Sequence, residues 1–325
     1  MKKASVSILI LNYNGKGLLK ILLDSVKKQA FKDKTEIVVV DNNSTDGSEE
    51  FLRKNYPYVK FVKNSENLGT SGINSGLSRC NGKYIFYLNN DIELEKNCLQ
   101  LLYDALERNK SSGLAVPTYI NFYNRKIKSG GFWMSRSFYG GHYLADGSNE
   151  SKEFIEMPYA GVFLFRKEII NRLGYLFDPD YFIYSEDVDF SLRARLLGYK
   201  TILVPKAVLY HVHMATIGRQ KGYKPTYFLE RNLLSTFFKV LSLKSIIILL
   251  PYVFGMRLLA VARDISRFQF MSALMRVKAI LWVFLHFNII YKKRLEVQKI
   301  RKVNDKELLR LFTEKYIFKS KPLPL

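Results

Sequence analysis

Three carboxylates crowd into four positions at Glu186-Asp187-Val188-Asp189. One acid is enough to cap a helix and complement its dipole. Three repel one another, and such crowding can hold one carboxylate as a poised proton acceptor. A plain helix start and a general base are therefore both open readings of this cluster. Elsewhere, amides and acids recur just after apolar runs: Asn12 and Asn14, then Asp41, Asn42 and Asn43, then Asn64 and Asn67, then Asn89-Asn90-Asp91. Asp41 is placed to accept hydrogen bonds from a base or ribose, and Asp91 suits a divalent cation bridging a diphosphate. His211 is a further candidate ligand, although a lone histidine is usually structural and His213 stands beside it as a rival. One carboxylate with one imidazole favours Mn2+ somewhat over Mg2+. The stretch from Asn67 to Gly76 is rich in glycine but has neither the lysine of a Walker loop nor the spacing of a dinucleotide fingerprint.

These residues need a scaffold that brings strand ends together. Residues 6–11 form a continuous apolar run, the mark of a strand covered on both faces. Residues 18–28 carry helical periodicity. Further strands are expected over 36–40, 59–62, 84–88, 114–116, 160–165 and 201–205. Helices are expected over 48–54, 71–78, 96–108, 167–173 and 188–197. This alternation predicts a doubly wound α/β domain with a mostly parallel sheet, in which ligands gather beyond the carboxyl ends of the strands. Residues 118–158 loosen into Gly, Tyr, Phe and Ser, as expected of short antiparallel strands or a lid.

Length and composition agree. The 325 residues are 48% hydrophobic, 25% charged and 14% aromatic, which allows a sizeable core and excludes a mainly disordered chain. Two cysteines, Cys80 and Cys98, imply no disulfide framework. The N-terminal residues lack the long apolar core of a signal peptide, so a cytoplasmic location is expected. The net charge is +22, and residues 221–325 hold 21 Lys and Arg against six Asp and Glu. No nucleic-acid-binding signature accompanies that excess, which argues against nucleic acid as a partner. The tail instead alternates apolar runs with basic residues. Its uncharged stretches, 245–256 and 279–291, fall short of a bilayer span. They suit interfacial helices, with Arg257, Arg263, Arg267, Arg276 and Lys278 reaching the phosphates of anionic lipids while Trp282 and neighbouring Phe and Leu enter the acyl boundary. A buried helical subdomain is the alternative.

As an ordered set, the motifs resemble those of the family 2 inverting glycosyltransferases with a GT-A fold, especially the rhamnosyltransferase-like branch. The resemblance runs from Val6 to about Asn232. It is carried by Ile10-Leu11-Asn12-Tyr13-Asn14, Val39-Val40-Asp41-Asn42-Asn43-Ser44, Asn67-Leu68-Gly69 with Asn74, Leu88-Asn89-Asn90-Asp91, Ser185-Glu186-Asp187-Val188-Asp189-Phe190, Tyr210-His211 with Thr216, and Arg231-Asn232. It implies a nucleoside-diphosphate sugar donor held by Asn12, Asn14, Asp41, Asn43, Asn67, Gly69, Asn74, Asn89, Asn90 and Arg231. It also implies Mn2+ or Mg2+ on Asp91 and His211, Asp187 as the base, Glu186 beside it at the catalytic and acceptor positions, and Gly161 near the acceptor. The acceptor would be a glycan or a polyprenyl- or dolichyl-linked precursor at the inner face of the cell membrane. Residues 1–220 would form the GT-A domain and 221–325 a helical membrane-associating region. Two positions depart from the pattern: Asn89 replaces the first acid of the metal motif, and Ile73 stands where many members carry Arg. A non-catalytic, membrane-peripheral nucleotide-sugar or glycan-binding protein is the competing reading.

Overall fold

The computed structural model describes residues 4–125, 127–143, 151–212 and 224–313. The first half alternates β1 (Val6–Asn12), α1 (Lys16–Lys27), β2 (Thr35–Asp41), α2 (Ser48–Asn55), β3 (Lys60–Lys63), a 3-10 segment (Gly69–Arg79), β4 (Tyr84–Asn89), β5 (Ile92–Leu94), α3 (Cys98–Arg108) and β6 (Ser112–Asn121). Short strands follow: β7 (Ile127–Ser129), β8 (Phe132–Met134), β9 (Gly140–His142), β10 (Ile155–Met157) and β11 (Phe163–Arg166). Next come α4 (Glu168–Leu173), α5 (Glu186–Leu196) and β12 (Lys200–His211). The tail is helical: α6 (Lys224–Val240), α7 (Leu243–Ser266), α8 (Phe270–Leu285), α9 (Phe287–Lys299) and α10 (Asp305–Leu308).

The main sheet has the order β10-β12-β6-β11-β4-β1-β2-β3, with β5 on β12 and β7 on β6. Its two blocks, β3-β2-β1-β4 and β6-β12, are each parallel. The unbroken apolar sequence of β1 has its cause here, because Val6, Ile8, Leu9 and Ile10 are all fully buried between helical layers. α1 presents Leu19, Leu22, Leu23 and Val26 to that sheet, and each such burial contributes about 1.5–3 kcal/mol. The strand expected over 160–165 forms as β11 but enters antiparallel, between β4 and β6. The helix expected over 71–78 is a 3-10 segment. β12 runs well past the expected end near Pro205, crossing a register shift between Val204 and Val208 and ending at His211.

The domain boundary expected at residue 220 lies outside the described residues. Beyond it, α6 is buried along much of its length and carries polar side chains inward, among them Glu230, Asn232, Thr236 and Lys239. This corrects the lipid-facing role expected for two tail arginines. Arg257 is fully buried and donates to the carbonyl oxygens of Ser137 (2.9 Å) and Val253 (3.1 Å). Arg276 pairs with Glu230 and with Asp264. Trp282 stacks on His286, with ring centroids 4.4 Å apart, and lies under the Arg231 guanidinium. The charges turned inward because acids distant in sequence waited there. α7, at 24 residues, is long and apolar enough to cross a membrane by length and composition, which the uncharged runs alone did not indicate.

Candidate active site

The ends of β1, β2 and β4 meet in one hydrogen-bonded network. Asn12 donates from Nδ2 to Asp41 Oδ1 (2.7 Å) and accepts at Oδ1 from Asn90 Nδ2 (2.8 Å). Asp41 also accepts from the backbone N–H of Ser44 (2.7 Å) and its hydroxyl (2.6 Å), so this buried carboxylate organises the loop after β2. Asn14 Oδ1 accepts from the Thr45 N–H (2.8 Å). Asn14 and Asn43 both adopt positive φ, 49° and 60°, a region that asparagine tolerates better than most residues.

A second cluster ties the glycine-rich segment down. Asn42 Nδ2 donates to Asn67 Oδ1 (3.2 Å) and to the Gly69 carbonyl (2.7 Å). Gly69 has φ 63°, and any Cβ there would collide with the carbonyl of Phe182. The Thr70 N–H donates to that same carbonyl (2.8 Å), joining the segment to the chain that leads into α5. Asn74, expected at the donor, spends its whole amide on the backbone: it accepts from Leu176 (2.9 Å) and Phe177 (3.2 Å) and donates to the Phe177 carbonyl (2.7 Å).

Asp91 lies with Asn90 in the turn between β4 and β5. Its Oδ1 is buried, accepts no hydrogen bond, and faces His211 Nε2 at 3.3 Å. Strand pairing makes this contact possible, since β5 runs antiparallel to β12 with His211 opposite Ile92. Such an orphaned carboxylate oxygen beside an imidazole fits two ligands of a hard divalent cation, with other oxygens left to a diphosphate and water. Among the described residues, no group of three or more His, Cys, Asp or Glu is placed to hold a metal ion. Asn89, at the position of the missing acid, accepts from the Tyr87 hydroxyl (2.6 Å). His213 and Thr216 lie outside the described residues.

The acidic cluster splits in two. Asp189 is fully buried and doubly paired, with Arg193 Nε at 2.7 Å and Lys239 Nζ at 2.6 Å. It is structural. Glu186 and Asp187 have no cationic partner among the described residues: Glu186 Oε2 is buried without a hydrogen bond, Thr70 bonds to the Glu186 carboxyl, and Asp187 Oδ1 accepts from the adjacent Val188 N–H (2.8 Å). Burial and the nearby Asp187 charge push Glu186 up to about 8, and burial lifts Asp187 to about 6. Two buried carboxyls this close titrate as a couple, which retains one proton at neutral pH. Both project from the start of α5 because Tyr184 and Ser185 turn the chain through positive φ, 68° and 62°.

Two tyrosines connect the acidic pair to Asp91 and His211. The Tyr87 phenol is held protonated by burial and by the charges of Glu186, Asp187 and Asp91, all within its electrostatic reach. Tyr119 meets the His211 ring edge-on (centroids 6.3 Å) and also feels the Asp187 charge. A Cβ on Gly161 would stand 2.5 Å from the Tyr119 hydroxyl, so only glycine admits this packing. Arg231 is drawn away from a donor role. It is largely buried, donates to the Asp180 carbonyl (2.6 Å) and lies over Trp282. Its neighbour Asn232 supports the turn before Glu186, donating to the carbonyls of Ile183 (3.0 Å) and Tyr184 (2.7 Å). Neither Tyr87 nor Lys239 carries a local sequence signal of its role, since each acts through partners distant along the chain.

A mainly parallel sheet whose strand ends gather amides, an Asp–His pair and a free carboxylate pair is a GT-A architecture. The fold matches a solved structure of GalNAc-T7 with UDP, GalNAc and Mn2+ at a TM-score of 0.59 and 20% identity, over 72% of this chain and 48% of that one. The model described as "Glycosyl transferase family 2" matches residues 7–174, and the chain belongs to that family. Relatives include a cholesterol galactosyltransferase of Borreliella burgdorferi, 31% identical over 39% of this chain and 36% of its own length. Another is a GalNAc(5)-diNAcBac-PP-undecaprenol beta-1,3-glucosyltransferase of Campylobacter jejuni, 28% identical over 51% and 53% respectively. The chain thus spans about a third to a half of the length of these curated relatives.

Proposed function

We propose that the chain transfers a sugar, with inversion, from a nucleoside-diphosphate donor to a hydroxyl of a glycan or lipid-linked glycan precursor. The observation that carries this reading is the buried Glu186–Asp187 couple, which has no cationic partner among the described residues and shares the electrostatic surroundings of Tyr87 with Asp91, the partner of His211. In this reading Asp187 is the ionised member of the couple and takes the proton of the acceptor hydroxyl. The acceptor oxygen forms its bond to the anomeric carbon as the bond to the diphosphate breaks on the opposite face. Glu186, still protonated, donates a hydrogen bond that orients the acceptor. Asp91 and His211 would hold Mn2+ or Mg2+, an ion that neutralises charge on the departing diphosphate. The network around Asn12, Asp41 and Asn90 shapes the donor floor, and Gly161 lets Tyr119 pack closely on the acceptor side. Relatives named for an undecaprenol-linked substrate and for cholesterol support an acceptor carried by a lipid. A peripheral position on the cytoplasmic membrane face follows from that choice of acceptor.

The test is nucleoside-diphosphate release across a panel of nucleotide sugars, with lipid-linked acceptors and either Mn2+ or Mg2+. One donor should support release, and Asp187→Asn should lose about 10²–10⁴-fold in rate while still binding it. Saturable donor binding with no release under any acceptor would overturn the reading in favour of a binding protein.

A further inference from the structure

α7 and α8 are apolar on their outward sides, where an ordinary surface helix is polar, and they bury charge beside Ile246, Val253 and Val283. Their inward sides carry charge: Arg257, Asp264 and Arg276 converge with Glu230 of α6 in a buried ionic cluster. Their outward sides are apolar, with Ile248, Leu258 and Leu259 on α7 and Leu281, Phe284 and Leu285 on α8 each more than half exposed. The two helices pack against each other, and Phe254 meets Phe284 across them at 5.5 Å. A soluble surface rarely leaves so large a contiguous apolar face open to water.

We infer that this face of the α7–α8 pair lies in the surface of a phospholipid bilayer, with apolar insertion as the main source of binding. Charge selects the occupant. Lys244, Arg267, Lys278 and Lys292 are exposed around the face, and between residues 243 and 292 the one acid, Asp264, is buried. A rim of cations around an apolar centre complements phosphate headgroups above acyl chains. Against a second copy of the same face, those cations would repel. The ionic cluster also sets the mode of insertion. If α7 crossed the bilayer it would carry Arg257 and Asp264 into hydrocarbon and away from Glu230 and Arg276, a costly separation. Lying flat keeps every one of those pairs intact. The face supplies a surface for the membrane location proposed above, but it is read independently of sugar transfer.

Flotation of the full chain with vesicles tests it without any substrate. Vesicles of phosphatidylcholine alone, and with phosphatidylglycerol, are compared at low and high salt. The chain should float with both, and most binding to the neutral vesicles should survive high salt. The double change Ile248→Glu with Leu258→Glu, at two exposed positions, should lower partitioning at least about tenfold and leave the circular dichroism spectrum unchanged. Binding confined to anionic vesicles and abolished by salt would overturn apolar insertion while leaving a membrane location standing. A chain that ignores all vesicles, or that forms dimers dissolved by the same double change, would overturn the bilayer as the occupant.

Discussion

Asn232 holds Tyr184: from the middle of α6, its side-chain amide donates to the Tyr184 carbonyl at 2.7 Å and to that of Ile183 at 3.0 Å. Tyr184 and Ser185 then turn through positive φ and deliver Glu186 and Asp187 to the start of α5. The tail thereby fixes the turn that carries the acidic pair. Asn232→Ala should lower kcat by about 10–100-fold, the scale of a misplaced reacting group, with donor KM nearly unchanged. Steady-state kinetics with donor varied at saturating acceptor makes that separation visible.

The acidic pair sets a pH profile. In the proposed reaction the couple works singly protonated, and burial raises the two steps of its titration to about 6 and about 8. Rate should rise through about 6 and fall through about 8. Glu186→Gln should remove the alkaline fall, and a profile unchanged by that substitution would contradict the assignment.

The same shifts bear on stability. Both carboxyls are raised in the folded state, so the folded chain binds more protons than the unfolded one across the interval above their ordinary values. Their contribution is complete at low pH and lost as pH rises through about 6 and then 8. Glu186→Gln should therefore stabilise the protein at pH 9, by roughly 1–3 kcal/mol, the usual cost of a buried, poorly satisfied group. Thermal unfolding at pH 5 and pH 9 would show the gain at the higher pH alone.

Beneath α5, Lys239 lies between Asp178 (2.5 Å) and Asp189 (2.6 Å), all three fully buried. Lys239→Met should cost about 3–5 kcal/mol, because it leaves buried acids short of a partner. Denaturant unfolding reads this directly, and a loss below about 1 kcal/mol would mean that the surrounding cations compensate.

Much of the strand-end cluster was legible from sequence, because a buried parallel strand must be an unbroken apolar run and its end must turn polar. Asn12, Asp41, Asn90 and Asp91 announced themselves in this way, and the structure brings their segments together. Asn74 was placed in the right neighbourhood but with the wrong occupation, since nothing local reveals that residues 176 and 177 will claim its amide. The extension of β12 to His211 was hidden by Pro205 and Lys206, which interrupt the apolar pattern at the register shift. The tail misled for a different reason. An arginine in an apolar helix looks the same whether lipid phosphate or a distant acid awaits it, and Glu230 lies 27 residues before Arg257.

The convergence of Asp91, His211 and Asp187 on one donor is tested most directly by a crystal structure of the chain with Mn2+ and a non-transferable analogue of whichever nucleotide sugar it accepts. The account predicts the metal on Asp91 and His211, the diphosphate beside it, and the anomeric carbon facing Asp187 with room for one hydroxyl between them. A donor bound with its anomeric carbon turned away from Asp187, or a metal held by neither Asp91 nor His211, would contradict it.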